Sequence, residues 1–152
     1  MGRFLVFMCV LWGALPALAE PPAMAPVRDQ ADLVTLDKAE RRLVLWRGGR
    51  VLKRYTVALG FAPEGHKTQE GDGKTPEGRY VLDWKNSASK FHLSIHVSYP
   101  DDNDTAQARA RHVSPGGDIF IHGQPGATGW LLSLPHDWTL GCIAVSNAAI
   151  EE

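Results

Sequence analysis

The chain holds two cysteines, and they sit in very different company. Cys142 lies in the stretch DWTLGCIAVSN, Asp137 to Asn147, with Gly141 before it and the β-branched Ile143 after it. That context puts a thiol where a loop enters a strand. The glycine lets a second backbone approach and leaves amide hydrogens to point at a ligand. A thiol attacks as its thiolate, so it needs a base or a positive neighbour. The leading base is His122, which ends the run DIFIH and is followed by Gly123, where a strand delivers a side chain to a rim. His136 in LPHDW, six residues before Cys142, is a rival. Residue types alone leave two readings open: a Cys–His nucleophile pair, or an inert buried cysteine with an ordinary surface histidine. Without further pattern the second is the commoner.

Other residues offer less. His92 and His96 have the spacing that makes a zinc pair on a helix, but the run FHLSIHVSY alternates as a strand does. At a rise of about 3.3 Å per residue the two stand roughly 13 Å apart and cannot share an ion, so no metal is expected. Trp130 and Trp138 flank the cysteine loop and either line a cleft for glycan or peptide or cap the core. Ser146 suits a helix cap better than a second nucleophile. Ser114-Pro115-Gly116-Gly117 is a helix terminator before it is an anion nest, and Asp118 is a turn residue after it.

The elements that must position these groups follow from periodicity. Residues 32–60 alternate apolar and polar positions, with turn signals at Asp37-Lys38 and Gly48-Gly49. They predict a three-stranded meander near 32–37, 42–47 and 50–58. Residues 61–78 are glycine-rich, lack a period and predict a loop. Arg79 to Trp84 is a short strand. In Phe91 to Tyr99 the odd positions are apolar and His92, Ser94, His96 and Ser98 face the other way, which predicts a half-buried strand. The segment DDNDTAQARARHV starts acidic and ends with Arg109 and Arg111, as a short surface helix should. Strands follow at Asp118 to His122 and Cys142 to Val145, and Ser146 or Asn147 opens a last helix. The class is strand-rich α+β with one or two short helices.

The other cysteine, Cys9, belongs to MGRFLVFMCVLWGALPALAEPP. Arg3, an apolar run from Phe4 to Leu15, and Ala17-Leu18-Ala19 have the three-part layout of a secretory signal peptide covering residues 1–19. The run is too short for the roughly 20 residues that span a bilayer. Residues 20–31 are a Pro/Ala-rich flexible leader, and 32–152 form one domain. Export across the inner membrane to a periplasm or cell wall is expected. Lys and Arg number 16 against 17 Asp and Glu. Such a balance provides no basic field for nucleic acid.

A wider pattern bears on Cys142. Ile121-His122-Gly123, then the 15 residues 124–138, then Thr139-Leu140-Gly141-Cys142-Ile143 resembles the catalytic signature of the L,D-transpeptidases, the YkuD-type cell-wall enzymes. Upstream, GDGKTPEGRY at 71–80 resembles the family's Thr-Pro-x-Gly turn, and the meander ending Val57-Ala58-Leu59-Gly60 resembles its start. The resemblance implies an L,D-transpeptidase-like β-sandwich or mixed sheet. Cys142 would be the nucleophile and His122 its base. Gly123 would orient the ring through its carbonyl, and the Gly141 and Cys142 amides would hold the oxyanion. Thr139, Trp138 and Trp130 would contact substrate. The implied partners are peptidoglycan stem peptides, or a wall-linked lipoprotein, with no cofactor; the oligomeric state is left open.

Two positions depart from the widespread motif. Leu140 stands where it has His, and Ala144 where it has Arg, as in the branch with Gly-Cys-x-Ala. That substitution removes a five-donor fork for carboxylate or carbonyl. The family domain usually continues past the helix opening at Asn147, so a shortened C-terminus is expected. The reading is a peptidoglycan L,D-transpeptidase working through a cysteine thioester. Two alternatives stand beside it: a cysteine hydrolase of the same linkages, carboxypeptidase or amidase, including lipoprotein release; and an inactive wall-binding module. An activated thiol further implies that Cys142 alkylates faster than a free thiol at neutral pH and that His122→Ala slows it.

Overall fold

A computed structural model describes residues 23–126 and 136–152 of the chain. Residues 1–22, where a signal peptide is expected, and residues 127–135, Trp130 among them, lie outside the described residues. The leader contributes one exposed 3-10 turn, Val27–Asp29. Among the described residues no helix is long and apolar enough to cross a membrane.

Strands β1 (Leu33–Asp37), β2 (Arg42–Arg47) and β3 (Arg50–Thr56) form the expected antiparallel meander. The β2–β3 hairpin closes where Arg47 pairs with Arg50. Gly48 and Gly49 between them both have positive φ, +55° and +77°. A two-residue turn matching strand twist demands that geometry, and glycine adopts it without steric cost.

The second sheet has the order β4 (Leu82–Asn86), β5 (Ser94–Val97), β6 (Phe120–His122), β7 (Ile143–Ala144). Its first three strands are antiparallel, and β7 runs parallel to β6. Bridges from Ala58 to Ala144 and from Gly60 to Thr139 tie the end of the meander to the cysteine segment. Helices α1 (Asp102–Ala110) and α2 (Asn147–Glu151) complete the strand-rich α+β fold.

Several expected strand ends move. The strand expected at 79–84 starts at Leu82, because the Val81 amide donates to the Ser98 hydroxyl. The strand expected at 91–99 begins only at Ser94, because His92 adopts φ +72°, which no extended ladder accepts. Asp118 at φ +53° likewise delays β6 to Phe120. These are ordinary residues in the left-handed region, where only local tertiary contacts hold them.

The second sheet has two unlike faces. Val97, Ile119, Ile121, Ile143 and Val145 bury themselves against Leu43, Val57 and Leu59. Burying each such side chain stabilises the fold by about 1.5–3 kcal/mol. The alternate residues, Ser94, His96, Phe120 and His122, fall on the opposite face. Helix α1 starts with a capping box in which Asp101 and Asp104 accept each other's amides. The buried Asp104 carboxylate also receives the Tyr80 hydroxyl at 2.9 Å and contacts His66 Nε2 at 2.9 Å. His66 Nδ1 accepts the Glu77 amide, so the glycine-rich loop is tied at both ends to the helix and the strand region that follow it.

Candidate active site

Register puts the two chemical residues on one face. Ile121 pairs with Ile143 and His122 with Ala144 in parallel strands. Cys142, one residue before β7, therefore falls beside Phe120, on the same side of the sheet as His122. His122 is buried, with its ring centroid 4.5 Å from that of Phe91 and 5.8 Å from that of Trp138. Its Nδ1 lies 2.7 Å from the Gly123 carbonyl oxygen. A carbonyl only accepts, so Nδ1–H donates and the lone pair sits on Nε2. Burial pushes the imidazole below its ordinary pKa of 6.5, and the bond to Gly123 only partly opposes this. The ring is neutral at neutral pH, the state a base requires.

The thiol points elsewhere. Cys142 Sγ donates to the Asp118 carbonyl at 3.5 Å and makes no hydrogen bond to His122 among the described residues. Burial raises its pKa above the ordinary 9.0; a Phe120 amide hydrogen bond pulls it down, the Asp118 charge adds to the rise, and the Lys67 charge opposes it. The net direction is upward, so the resting site holds a neutral thiol beside a neutral imidazole. A neutral thiol leads to the opposite expectation from fast alkylation.

Lys67 is the group that sequence reasoning missed. A lone lysine in a glycine-rich loop carries no signal of its own, and Cys142 is far along the chain. Yet Lys67 is only 3% exposed. Its ammonium donates to Asp72 Oδ1 at 2.9 Å and to the Gln69 carbonyl at 3.1 Å. Burial pushes the Asp72 carboxyl up, but hydrogen bonds from Thr68, Lys67, Lys74 and Gln69 outweigh it and hold the group at about 2. The Asp72 carboxylate is thus charged at neutral pH, and the Lys67 charge is felt at the thiol. The alkylation rate of Cys142 by iodoacetamide should be below that of a free thiol at pH 7 and should rise with pH through a midpoint above 9. Lys67→Met should move the midpoint higher still, because the opposing cation is gone. A midpoint below that of a free thiol would contradict this electrostatic account.

The cysteine loop is braced from within. Thr139 is buried, and its hydroxyl donates to the Cys142 carbonyl at 2.7 Å while accepting the Gly141 amide at 3.1 Å. The Gly141 amide, expected to help hold the oxyanion, is bonded inside the loop, and the Thr139 hydroxyl, expected to meet substrate, braces that loop from within. Among the described residues the Cys142 amide has no hydrogen-bond partner. Asp137 anchors the loop's entry: it accepts the Leu59 amide at 2.9 Å and a forked pair from Arg41 at 3.0 and 2.7 Å. Burial pushes the Asp137 carboxyl up, and the Arg41 and Leu59 bonds more than reverse it.

The remaining candidates separate. Trp138 is half-buried over His122 and Phe91, and its indole N–H has no partner among the described residues. His136 is exposed at the edge of the described segment. Leu140 is 75% exposed beside the nucleophile, whereas Ala144 is buried against Ala58. His92 contacts Glu151 at 2.6 Å and His96 contacts Asp83 at 2.7 Å, each with its own carboxylate. Among the described residues no three potential metal ligands cluster.

With this geometry in view, similarity to known proteins becomes informative. Residues 31–152 match the family model described as the YkuD L,D-transpeptidase catalytic domain. Among solved structures, Bd1075 of Bdellovibrio bacteriovorus is 26% identical with a TM-score of 0.51, over 78% of this chain and 41% of that one. An L,D-transpeptidase of Xylanimonas cellulosilytica DSM 15894, residues 123–326, is 16% identical with a TM-score of 0.48, over 82% of this chain and 54% of that one. The chain thus spans about two fifths and about half of those two proteins. No curated protein matches it. The family match covers the meander, the glycine-rich loop and both strands that carry His122 and Cys142, and the chain belongs to the YkuD family of L,D-transpeptidase catalytic domains.

Proposed function

We propose that the protein is a peptidoglycan L,D-transpeptidase that works through a thioester on Cys142. The observation that carries this reading is the pairing of a thiol and a neutral imidazole on one sheet face, with the Nε2 lone pair set by the Gly123 carbonyl. Cys142 turns from Asp118 toward His122, and Nε2 takes its proton as sulfur attacks the carbonyl of the stem's third residue. A C–S bond forms, and the negative oxygen meets the Cys142 amide. The bond to the terminal D-alanine then breaks, and its nitrogen leaves with the proton from Nε2. An acceptor amine, activated by the same nitrogen, attacks the thioester and releases the thiol. His122 serves as base in one half and acid in the other, and a pKa below its ordinary value keeps the ring unprotonated before the first step.

A hydrolase of the same linkage is the second reading, and Ala144 favours it. The chain has the Gly-Cys-x-Ala form, without a guanidinium to seat a second stem's carboxylate. Water then takes the acyl group, and the products include a shortened stem or a released lipoprotein. A binding module without chemistry is the third reading. In each case the site of action is the periplasm or cell wall, reached by export through the inner membrane.

A muropeptide digest separates the three. Mature protein incubated with disaccharide-tetrapeptides should release alanine and yield new dimers by mass. Alanine release without dimers identifies the hydrolase. No change, beside an active family member as control, favours the binding module or a lipoprotein-linked substrate.

A further inference from the structure

The open face of the second sheet carries an aromatic group that the thiol chemistry does not use. Trp84 stacks on His96 with ring centroids 5.3 Å apart and planes 22° apart. Phe120 meets both edge-on, 5.4 Å from Trp84 and 5.1 Å from His96. His96 is fixed from the side by Asp83, whose carboxylate lies 2.7 Å from Nδ1. Trp84 is 47% exposed, a large apolar surface kept in water by rings packed behind it. Isolated exposed apolar residues are common, but an ordered cluster continuous with a reactive site marks a binding surface.

Its position relative to Cys142 is set by register. His96 pairs with Phe120, and Phe120 lies beside Cys142 on the same face. Neighbouring strands are about 4.8 Å apart, so three steps from β7 to β4 span about 14 Å. In a wall stem, two residues and one ether-linked acid separate the third residue from the sugar. At about 3.4 Å per unit, that link and the reacting residue together reach a similar distance.

We infer that Trp84, His96 and Phe120 form a subsite for a pyranose ring of the glycan strand to which the stem peptide is attached. The inference rests on the stem-peptide reading above. The C–H face of the sugar lies on the exposed indole, and a ring hydroxyl donates to the Asp83 carboxylate, which is also exposed. The sugar adds affinity and fixes which stem carbonyl reaches the thiol.

Turnover of a disaccharide-tetrapeptide and of the same tetrapeptide without sugar tests this. The wild-type protein should prefer the sugar-bearing substrate by about tenfold in kcat/KM, through KM. Trp84→Ala should collapse that preference to near one, and Trp84→Phe should keep most of it. Equal use of both substrates by the wild type, or an equal loss on both in Trp84→Ala, would overturn the subsite while leaving the stem-peptide reading intact. Titration with an N-acetylglucosamine oligomer decides the matter even without turnover: the tryptophan fluorescence of the wild type should change saturably, and that of Trp84→Ala should not. No saturable change in the wild type contradicts the subsite.

Discussion

Cys142→Ala should reduce turnover of stem peptides by at least about a thousandfold while leaving the fold intact. The nucleophile has no substitute nearby: among the described residues Cys142 is the free thiol, and the Thr139 hydroxyl is tied to the Cys142 carbonyl and the Gly141 amide. The sulfur's own structural work is small: a long hydrogen bond to the Asp118 carbonyl and a contact from the Phe120 amide. Its removal should cost about 1 kcal/mol or less, as for a small partly exposed side chain. The check is a paired measurement of kcat and of thermal midpoint on the same preparation. Turnover that survives the substitution would remove covalent catalysis at this position.

Gly141→Ala should be damaging for a different reason. Gly141 has φ +132°, a region that L-residues rarely enter. A Cβ there would lie 2.7 Å from the Lys74 carbonyl oxygen and 3.1 Å from Ile119 Cδ1. The first is backbone and cannot swing aside. Backbone strain and overpacking each cost about 1–3 kcal/mol, so a loss of about 3 kcal/mol is expected, or about 10 °C in thermal midpoint. The displaced loop also moves Thr139 and the Cys142 amide, so activity should fall further than stability accounts for. A midpoint within about 2 °C of the wild type would show that the loop relaxes freely, contrary to the packing described.

The comparison of sequence with structure turns on which residues are set by their neighbours in the chain. The meander was legible because its alternation and the Gly48-Gly49 turn are local devices, and its strands lie where alternation places them. The ends of β5 and β6 were not, because His92 and Asp118 take left-handed φ that only distant contacts hold. The same division runs through the site. His122 and Cys142 stood out by type and spacing, since the chemistry demands those atoms. Gly141 stood out as a glycine, but the engagement of its amide by Thr139 depends on the loop closing on itself. Lys67 was invisible because its meaning comes from Cys142 and Asp72 together, brought near by the glycine-rich loop packing beside Gly141.

The resting geometry also explains how a site with a raised thiol pKa is reconciled with thiol chemistry. A thiolate kept permanently at the edge of a cleft is exposed to oxidation and metal capture. A neutral thiol held by Asp118 becomes nucleophilic only when it turns to the Nε2 lone pair of His122.

The most direct test of the account is the intact mass of the protein after a brief incubation with disaccharide-tetrapeptide and an acid quench. The account predicts an adduct of the substrate less its terminal alanine, confined to Cys142 by peptide mapping and absent from Cys142→Ala. Alanine release without any adduct, continuing in Cys142→Ala, would contradict it.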